Sequence, residues 1–293
     1  LYDKRINLET IAEIQSQVAV VQGDFTDLTH LRETIRRHGV KEIYHLGAML
    51  SGASEEYPLL SHQVNLGGTL NVLEAGRLCG MEKLIFTSSV AVYGSDATQP
   101  VNEQAPRNPV SAYGISKLAG EQWGLYYHRR YGMDVRMIRL IPALGPARDV
   151  AGVSAFTTLI IRKPALGEPY EVPVSRDLAT AAIYYKDAVR ALLLLAEAGN
   201  PQTRLYNIAA ITTTAGELAE TVHKYVPSAV ITFMPRPEIE SILRSVPSQF
   251  DDARARQELG WQPQYNLDDM VRELIAAIRM ETNRESGQTC QAN

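Results

Sequence analysis

Lys83-Leu84-Ile85-Phe86-Thr87-Ser88-Ser89 is the stretch on which the fold turns. Its continuous apolar run reads as a strand over 83 to 87, buried on both faces as in a parallel sheet. Hydroxyl residues follow at its end. The carboxyl ends of such strands open on the crevice where these sheets bind ligands, so Ser89 is placed to hydrogen-bond a reacting oxygen and steady charge on it. Ser88 fits a turn-capping role about as well.

Working outward, Val18 to Val21, Glu42 to Leu46 and Val135 to Ile141 also read as strands. Between them amphipathic patterns predict helices at Leu28 to His38, Gln63 to Cys79 and Ala112 to Tyr131, with Gly80 and Gly132 as stops and Ser111 as the N-cap of the third. Alternation of this kind means an α/β fold, a doubly wound parallel sheet of Rossmann type. After Gly145-Pro146, segments containing Pro164, Gly167, Pro169 and Pro173 predict a smaller C-terminal substrate lobe of loops and short strands. Helices are expected again at Asp187 to Ala198, Ala215 to Tyr225, Asp252 to Leu259 and Leu267 to Met280. The expected division is a dinucleotide-binding domain over 1–149, a lobe over 150–280 with some segments returning to the sheet, and a polar tail over 281–293.

No Gly-x-x-Gly-x-x-Gly turn precedes the first reliable strand, so the first βαβ portion is expected to be missing from this chain, which as it stands should bind NAD poorly. Leu1-Tyr2-Asp3 fits the end of the second strand of such a fold. There Asp3 would accept from the adenosine ribose hydroxyls and favour NAD over NADP.

The 293 residues, 45% hydrophobic, suffice for one substantial core, and a net charge of -4 without any basic cluster argues against nucleic acid. The longest aliphatic stretch, Ala191 to Ala196, is too short to cross a bilayer, and no leader is evident, so a cytoplasmic location is expected. Two cysteines, Cys79 and Cys290, and six histidines without ligand spacing offer neither a disulfide framework nor a metal site.

Tyr113 and Lys117 stand four apart in Ser-Ala-Tyr-Gly-Ile-Ser-Lys, on one face of a predicted helix. Phenol titrates near ~10, so acid/base work near neutrality asks for a lowering of roughly 3 units, about 4 kcal/mol of preference for phenolate. A neighbouring ammonium, helped by the positive ring of the oxidised cofactor, supplies it. Taken alone the pair is a weak signal in a chain with 14 tyrosines. Its company strengthens it: Gly23-Asp24 and Leu46-Gly47-Ala48 also lie at strand ends. Asp24 could accept from the adenine amino group or cap a helix, and Gly47 could admit the cofactor or simply pack tightly.

These residues match a known family. Gly-Asp-Phe-Thr-Asp (23 to 27), Tyr-His-Leu-Gly-Ala (44 to 48), Val-Asn-Leu-Gly-Gly-Thr (64 to 69), Thr-Ser-Ser-Val-Ala-Val-Tyr-Gly (87 to 94) and Tyr-Gly-Ile-Ser-Lys (113 to 117) lead the series. Arg139 with Gly145-Pro146, Tyr185-Lys186-Asp187 and Leu-Gly-Trp-Gln-Pro (259 to 263) complete it. Over nearly its whole length the chain resembles extended short-chain dehydrogenases/reductases of the NAD-dependent epimerase/dehydratase group. The resemblance implies Ser89, Tyr113 and Lys117 as catalytic residues and NAD as cofactor. It implies Asp3, Asp24, Phe25, Leu46, Gly47, Ala48, Thr87, Tyr113, Lys117, Leu140 and Pro142 as cofactor contacts, Asn65 as a support near the site, and a homodimer joined through the helices at 63 to 79 and 112 to 131.

Ala-Met-Leu-Ser-Gly (48 to 52), 126 to 136 and Tyr-Asn-Ile-Ala (206 to 209) are similar to L-threonine 3-dehydrogenases. Their Gly-Thr-Thr-Asp-Tyr element, however, stands here as Gly152-Val153-Ser154-Ala155-Phe156. The segment 154 to 174 resembles dehydrogenases of four-carbon sugar acids such as D-erythronate, and Arg162 or Lys163 would suit a carboxylate. Pro142 stands where nucleotide-sugar epimerases commonly carry Asn. The expected activity is hydride transfer between NAD and a secondary alcohol of a small hydroxy acid or amino acid, with Ser51, Ser89, Ser154 and Arg162 as substrate contacts. The alternatives are a nucleotide-sugar 4-epimerase or dehydratase, and a catalytically silent NAD-binding regulatory protein.

Overall fold

A computed structural model describes residues 1–8, 11–146 and 152–289. In chain order the strands are β1 (Tyr2–Asp3), β2 (Val21–Gln22), β3 (Glu42–His45), β4 (Lys83–Ser89), β5 (Asp134–Leu140), β6 (Ala143–Leu144), β7 (Tyr170–Val172), β8 (Ala179–Tyr184), β9 (Leu205–Ile208), β10 (Ile211–Thr214) and β11 (Ile231–Phe233). The helices are α1 (Leu28–His38), α2 (Ser51–Glu56), α3 (Pro58–Ser61), α4 (Gly68–Leu78), α5 (Ala112–Tyr131), α6 (Phe156–Ala165), α7 (Tyr185–Glu197), α8 (Ala215–Tyr225), α9 (Pro237–Arg244), α10 (Ala253–Leu259) and α11 (Leu267–Thr289).

The central sheet has the order β3-β4-β5-β9, all parallel, and β4 pairs with β5 along its whole length from Lys83↔Asp134 to Ser89↔Leu140. Leu84, Ile85 and Phe86 are buried because helices cover both faces. On one side Leu31, Ile35, Val72 and Leu73 of α1 and α4 pack on Leu84, Phe86, Val135 and Met137. On the other, Ala191, Leu192 and Leu195 of α7 join Ile85, Ile138 and the buried Trp261. The fold is the doubly wound α/β type.

β1 and β2 form a separate parallel pair, tied to the central sheet's layer by side chains. Asn71 of α4 donates to the carbonyls of Phe25 and Thr26 at 3.2 and 2.8 Å. The expected strand at 18 to 21 shrinks to Val21–Gln22, since a strand extends only as far as its partner and β1 has two residues.

The second lobe gathers around Phe156, Ile160, Ile161, Tyr184, Leu218, Val222, Leu274 and Ile278. Its segment after Gly152 was expected to be loops and short strands; instead α6 is a helix. Phe156, Ile160, Ile161 and Ala165 recur at helical spacing and bury one stripe. Pro164 falls in the last turn, where only one helical hydrogen bond is lost. Likewise α11 runs on to Thr289 rather than stopping at Met280, because no glycine or proline interrupts it before Gly287. The rest of the tail, Cys290 included, lies outside the described residues. No helix among the described residues is long and apolar enough to cross a membrane.

Candidate active site

A cleft of ≈ 580 Å³ opens at the carboxyl ends of β3, β4 and β5, between the central sheet and the second lobe. Its position follows from topology, since parallel strands deliver their last residues to one edge. β4 delivers Ser89 directly. α5 then begins beside that strand end, with Ser111 as its N-cap accepting from the Gly114 amide at 3.0 Å, and ends at Gly132, whose φ of 69° a side chain would strain.

Gly114 makes the junction possible. A Cβ there would lie 2.2 Å from the Ala91 carbonyl oxygen and 2.9 Å from the Pro109 Cβ. The residue beside Tyr113 must therefore be glycine for α5 to press against the short turn Val90–Val92, which Ser89 itself caps by accepting from the Ala91 amide at 3.2 Å. Accepting that bond uses a lone pair of Ser89 Oγ and leaves its proton to donate.

Lys117 sits one turn after Tyr113 and is 4% exposed. Its Nζ donates to the Thr87 carbonyl at 2.8 Å, lies 4.8 Å above the Phe86 ring centre and 5.7 Å from that of Tyr113. Burial pulls its ammonium down to about 8, opposed by the negative charge of Glu121 one further turn along. His45 is driven to about 3 by burial, then by repulsion from Lys117. It is a neutral ring, 5.3 Å from Phe25 and 5.6 Å from Phe86, bonded to Thr69 Oγ1 at 2.9 Å.

Beneath the cleft lies a buried polar chain. Glu121 accepts from Ser88 Oγ at 2.5 Å and from Arg139 Nε and Nη2 at 2.8 and 2.7 Å, and both members of that ion pair are fully buried. Arg139 also donates to the Tyr93 hydroxyl at 2.6 Å, which donates to Asn207 Oδ1 at 2.8 Å. Asn65 braces the opposite rim, its amide both accepting from the Met49 N–H at 2.7 Å and donating to the Met49 carbonyl at 3.0 Å.

Of the residues singled out from sequence, Ser89, Tyr113, Lys117, Leu46, Ala48, Thr87, Leu140, Pro142, Ser51 and Ser154 line the cleft together. Asp3, Asp24, Phe25, Gly47 and Arg162 do not. Asp3 accepts from the Arg5 amide at 2.9 Å. The Asp24 carboxylate is engaged by Lys4 at 2.8 Å and by the Thr26 amide and hydroxyl at 2.9 and 2.7 Å, and the Lys4 bond foremost lowers it to about 2. Gly47 faces the Phe25 ring, which a Cβ would meet at 2.7 Å, so tight packing accounts for that glycine. Arg162 donates to the Pro146 carbonyl at 2.7 Å, and Lys163 pairs with Glu168 at 2.5 Å, and neither is among the described residues that line the cleft.

Sequence reading missed Ser88 as a partner of Glu121, the neutral His45, and the wall formed by Ile242, Leu243 and Val246. Glu121 was legible as a carboxylate one turn beyond Lys117. The α9 wall was legible as Ile239, Ile242 and Leu243 at helical spacing behind Pro237.

The cleft suits a nicotinamide cofactor. Lys117 offers ammonium protons beyond the one given to Thr87, Tyr113 and Ser89 offer hydroxyls, and Leu46, Ala48, Leu140 and Pro142 offer small or apolar surface for a flat ring.

Comparison with known proteins bears on the same site. A family model described as the NAD dependent epimerase/dehydratase family matches residues 2–209. The mitochondrial L-threonine 3-dehydrogenase of Bos taurus is 29% identical over 259 residues, 87% of this chain and 69% of that protein. Among solved structures, a partial consensus L-threonine 3-dehydrogenase superposes with a TM-score of 0.86 at 32% identity, covering 91% of this chain and 87% of the other. The holo form of a GalE-like L-threonine dehydrogenase from Cupriavidus necator gives 0.85 at 31%, covering 89% and 86%.

Proposed function

The chain belongs to the NAD dependent epimerase/dehydratase family as an NAD-dependent enzyme of the extended short-chain dehydrogenase/reductase type, and from that premise we propose reversible hydride transfer between NAD and a secondary alcohol of a small hydroxy acid or amino acid, threonine- or erythronate-like. Ser89, Tyr113 and Lys117 are its catalytic group. The observation that carries this reading is their convergence on one cleft, with the Lys117 ammonium buried one helical turn from the phenol.

Bound NAD supplies the hydride acceptor. Lys117, with two protons beyond the one held by Thr87, would hold the nicotinamide ribose, and its charge lowers the proton affinity of Tyr113. Tyr113 takes the proton of the substrate hydroxyl. Ser89 donates to that oxygen and fixes it against the phenol. Asp3 at the end of β1 is proposed to hold the adenosine ribose, and Asp24 lies on the same edge. Ser51, whose Oγ accepts from the Val153 amide at 3.2 Å, and Ser154 are the proposed substrate contacts. The similarity to L-threonine dehydrogenases supports a small substrate; Arg162, bonded to the Pro146 carbonyl, is not among the proposed contacts.

The test is NADH formation across a panel of L-threonine, D-erythronate, other hydroxy acids and nucleotide sugars. Turnover of a small alcohol is expected, and Tyr113→Phe should cut it by about 10²–10⁴-fold while preserving the melting curve. A Tyr113→Phe protein as active as the parent would refute the assignment. Conversion of a nucleotide sugar without net NADH would instead favour an epimerase.

A homodimer through α4 and α5 accords with the exposed Leu78, Trp123, Tyr126 and Tyr131 that these helices present to solvent. The proposed cellular location is the cytoplasm.

A further inference from the structure

The catalytic group comes from two elements that share no main-chain hydrogen bond ladder: Ser89 closes β4, while Tyr113 and Lys117 ride on α5. Besides the contact at Gly114 and the Lys117 bond to the Thr87 carbonyl, a second side chain of α5 fastens the helix to the strand beneath the cleft. Glu121 reaches from α5 to the hydroxyl of Ser88, the immediate neighbour of Ser89, and to Arg139, which stands opposite Ser88 in the β4–β5 register. We propose that Glu121, held by Ser88 and Arg139, is a positioning residue that sets α5 against the end of β4 and keeps Lys117 cationic. This inference rests on the reading of Ser89, Tyr113 and Lys117 given above.

The physical argument has two parts. First, a carboxylate accepting three hydrogen bonds in a fully buried setting admits little movement, because any displacement strands a charge without water. Since β-strand side chains alternate faces, locking Ser88 toward α5 holds its neighbour Ser89 on the other face of the strand end. Second, Glu121 lies four residues after Lys117, so their side chains share a helix face, and its negative charge opposes the desolvation of the ammonium. The other ionisable groups around Lys117 are the neutral His45 of β3 and Tyr113 of its own helix, and Arg139 approaches from β5 behind Glu121. Glu121 is the anion among these neighbours, and the mechanism gives it no contact with substrate or cofactor.

Glu121→Gln alone would strand Arg139, so the test uses Glu121→Gln with Arg139→Met, which restores charge balance, together with Ser88→Ala. The proton affinity of Lys117 is read without substrate, as the pH at which the urea stability of each background begins to converge on that of its own Lys117→Met derivative. In the paired variant this convergence should begin about one pH unit lower than in the parent. Ser88→Ala should lower kcat about tenfold for whichever of L-threonine and D-erythronate is turned over, leaving the KM for NAD unchanged. A merely structural ion pair predicts the parent's pH dependence in the folded paired variant, and that result would overturn the inference. Parental kcat in Ser88→Ala would do the same for the positioning role. If Tyr113→Phe is inactive while both variants behave as the parent, the inference fails alone. An active Tyr113→Phe would bring down the catalytic reading beneath it.

Discussion

Replacing Lys117 by methionine should stabilise the protein while abolishing its activity. Burial moves the folded-state pKa of Lys117 from 10.5 to about 8. For a base whose pKa falls on folding, the unfolded chain binds more protons between those values, so stability rises with pH across about 8 to 10.5 and the penalty is fully present below. At pH 7 the cost is about 2.5 units, roughly 3 kcal/mol. Methionine has a similar length and no charge, and forfeits the bond to the Thr87 carbonyl, about 1 kcal/mol, and the contact of the ammonium with the Phe86 ring, about 0.5 kcal/mol. The net expectation is a gain of about 2 kcal/mol at pH 7 that shrinks to nearly nothing by about pH 10. Urea unfolding followed by tryptophan fluorescence, without added NAD, measures both points, and other titrating groups cancel in the difference. A Lys117→Met protein less stable than the parent at pH 7, or a difference independent of pH, would refute the reasoning. The physical content is that a desolvated ammonium is tolerated because the site needs its charge.

Further outcomes follow from the same geometry. Gly114→Ala must push α5 from the Ala91 carbonyl, and since a misplacement of about 1 Å can cost about 10²-fold, kcat should fall by that order while circular dichroism stays near the parental spectrum; an unimpaired kcat would show that α5 and Ser89 need no such close approach. If α4 and α5 form a dimer face, Trp123→Arg with Tyr126→Arg should halve the sedimenting mass by analytical ultracentrifugation, and a parental protein already monomeric at micromolar concentration would dispose of that arrangement.

The sheet was legible because each strand buried on both faces must be apolar throughout, which Leu84-Ile85-Phe86 displays without reference to anything distant. Helices α1, α5 and α8 were legible at their ends for local reasons too: Asp27, Ser111 and Thr214 cap their first turns, and Gly39 and Gly132 end the first two in left-handed backbone. What stayed hidden depends on partners far away in the chain. Pro164 reads as a breaker until α11 and α8 are seen to give α6 a core to bury against. Arg162 reads as a free cation until Pro146 is found beside it, and Asp24 as a ready acceptor until Lys4 closes on it.

The site divides along the same line. Tyr113 and Lys117 could be paired from sequence because four residues on a helix are a distance in space. Ser88 and Glu121 are 33 residues apart and meet only because β4 lies beneath α5, so nothing local marks Ser88 as different from a turn serine. The choice between two adjacent cleft serines is therefore made by the fold: a strand turns successive side chains to opposite faces, and the carboxylate that accepts the hydrogen bond of Ser88 leaves Ser89 as the one with a hydroxyl proton to donate.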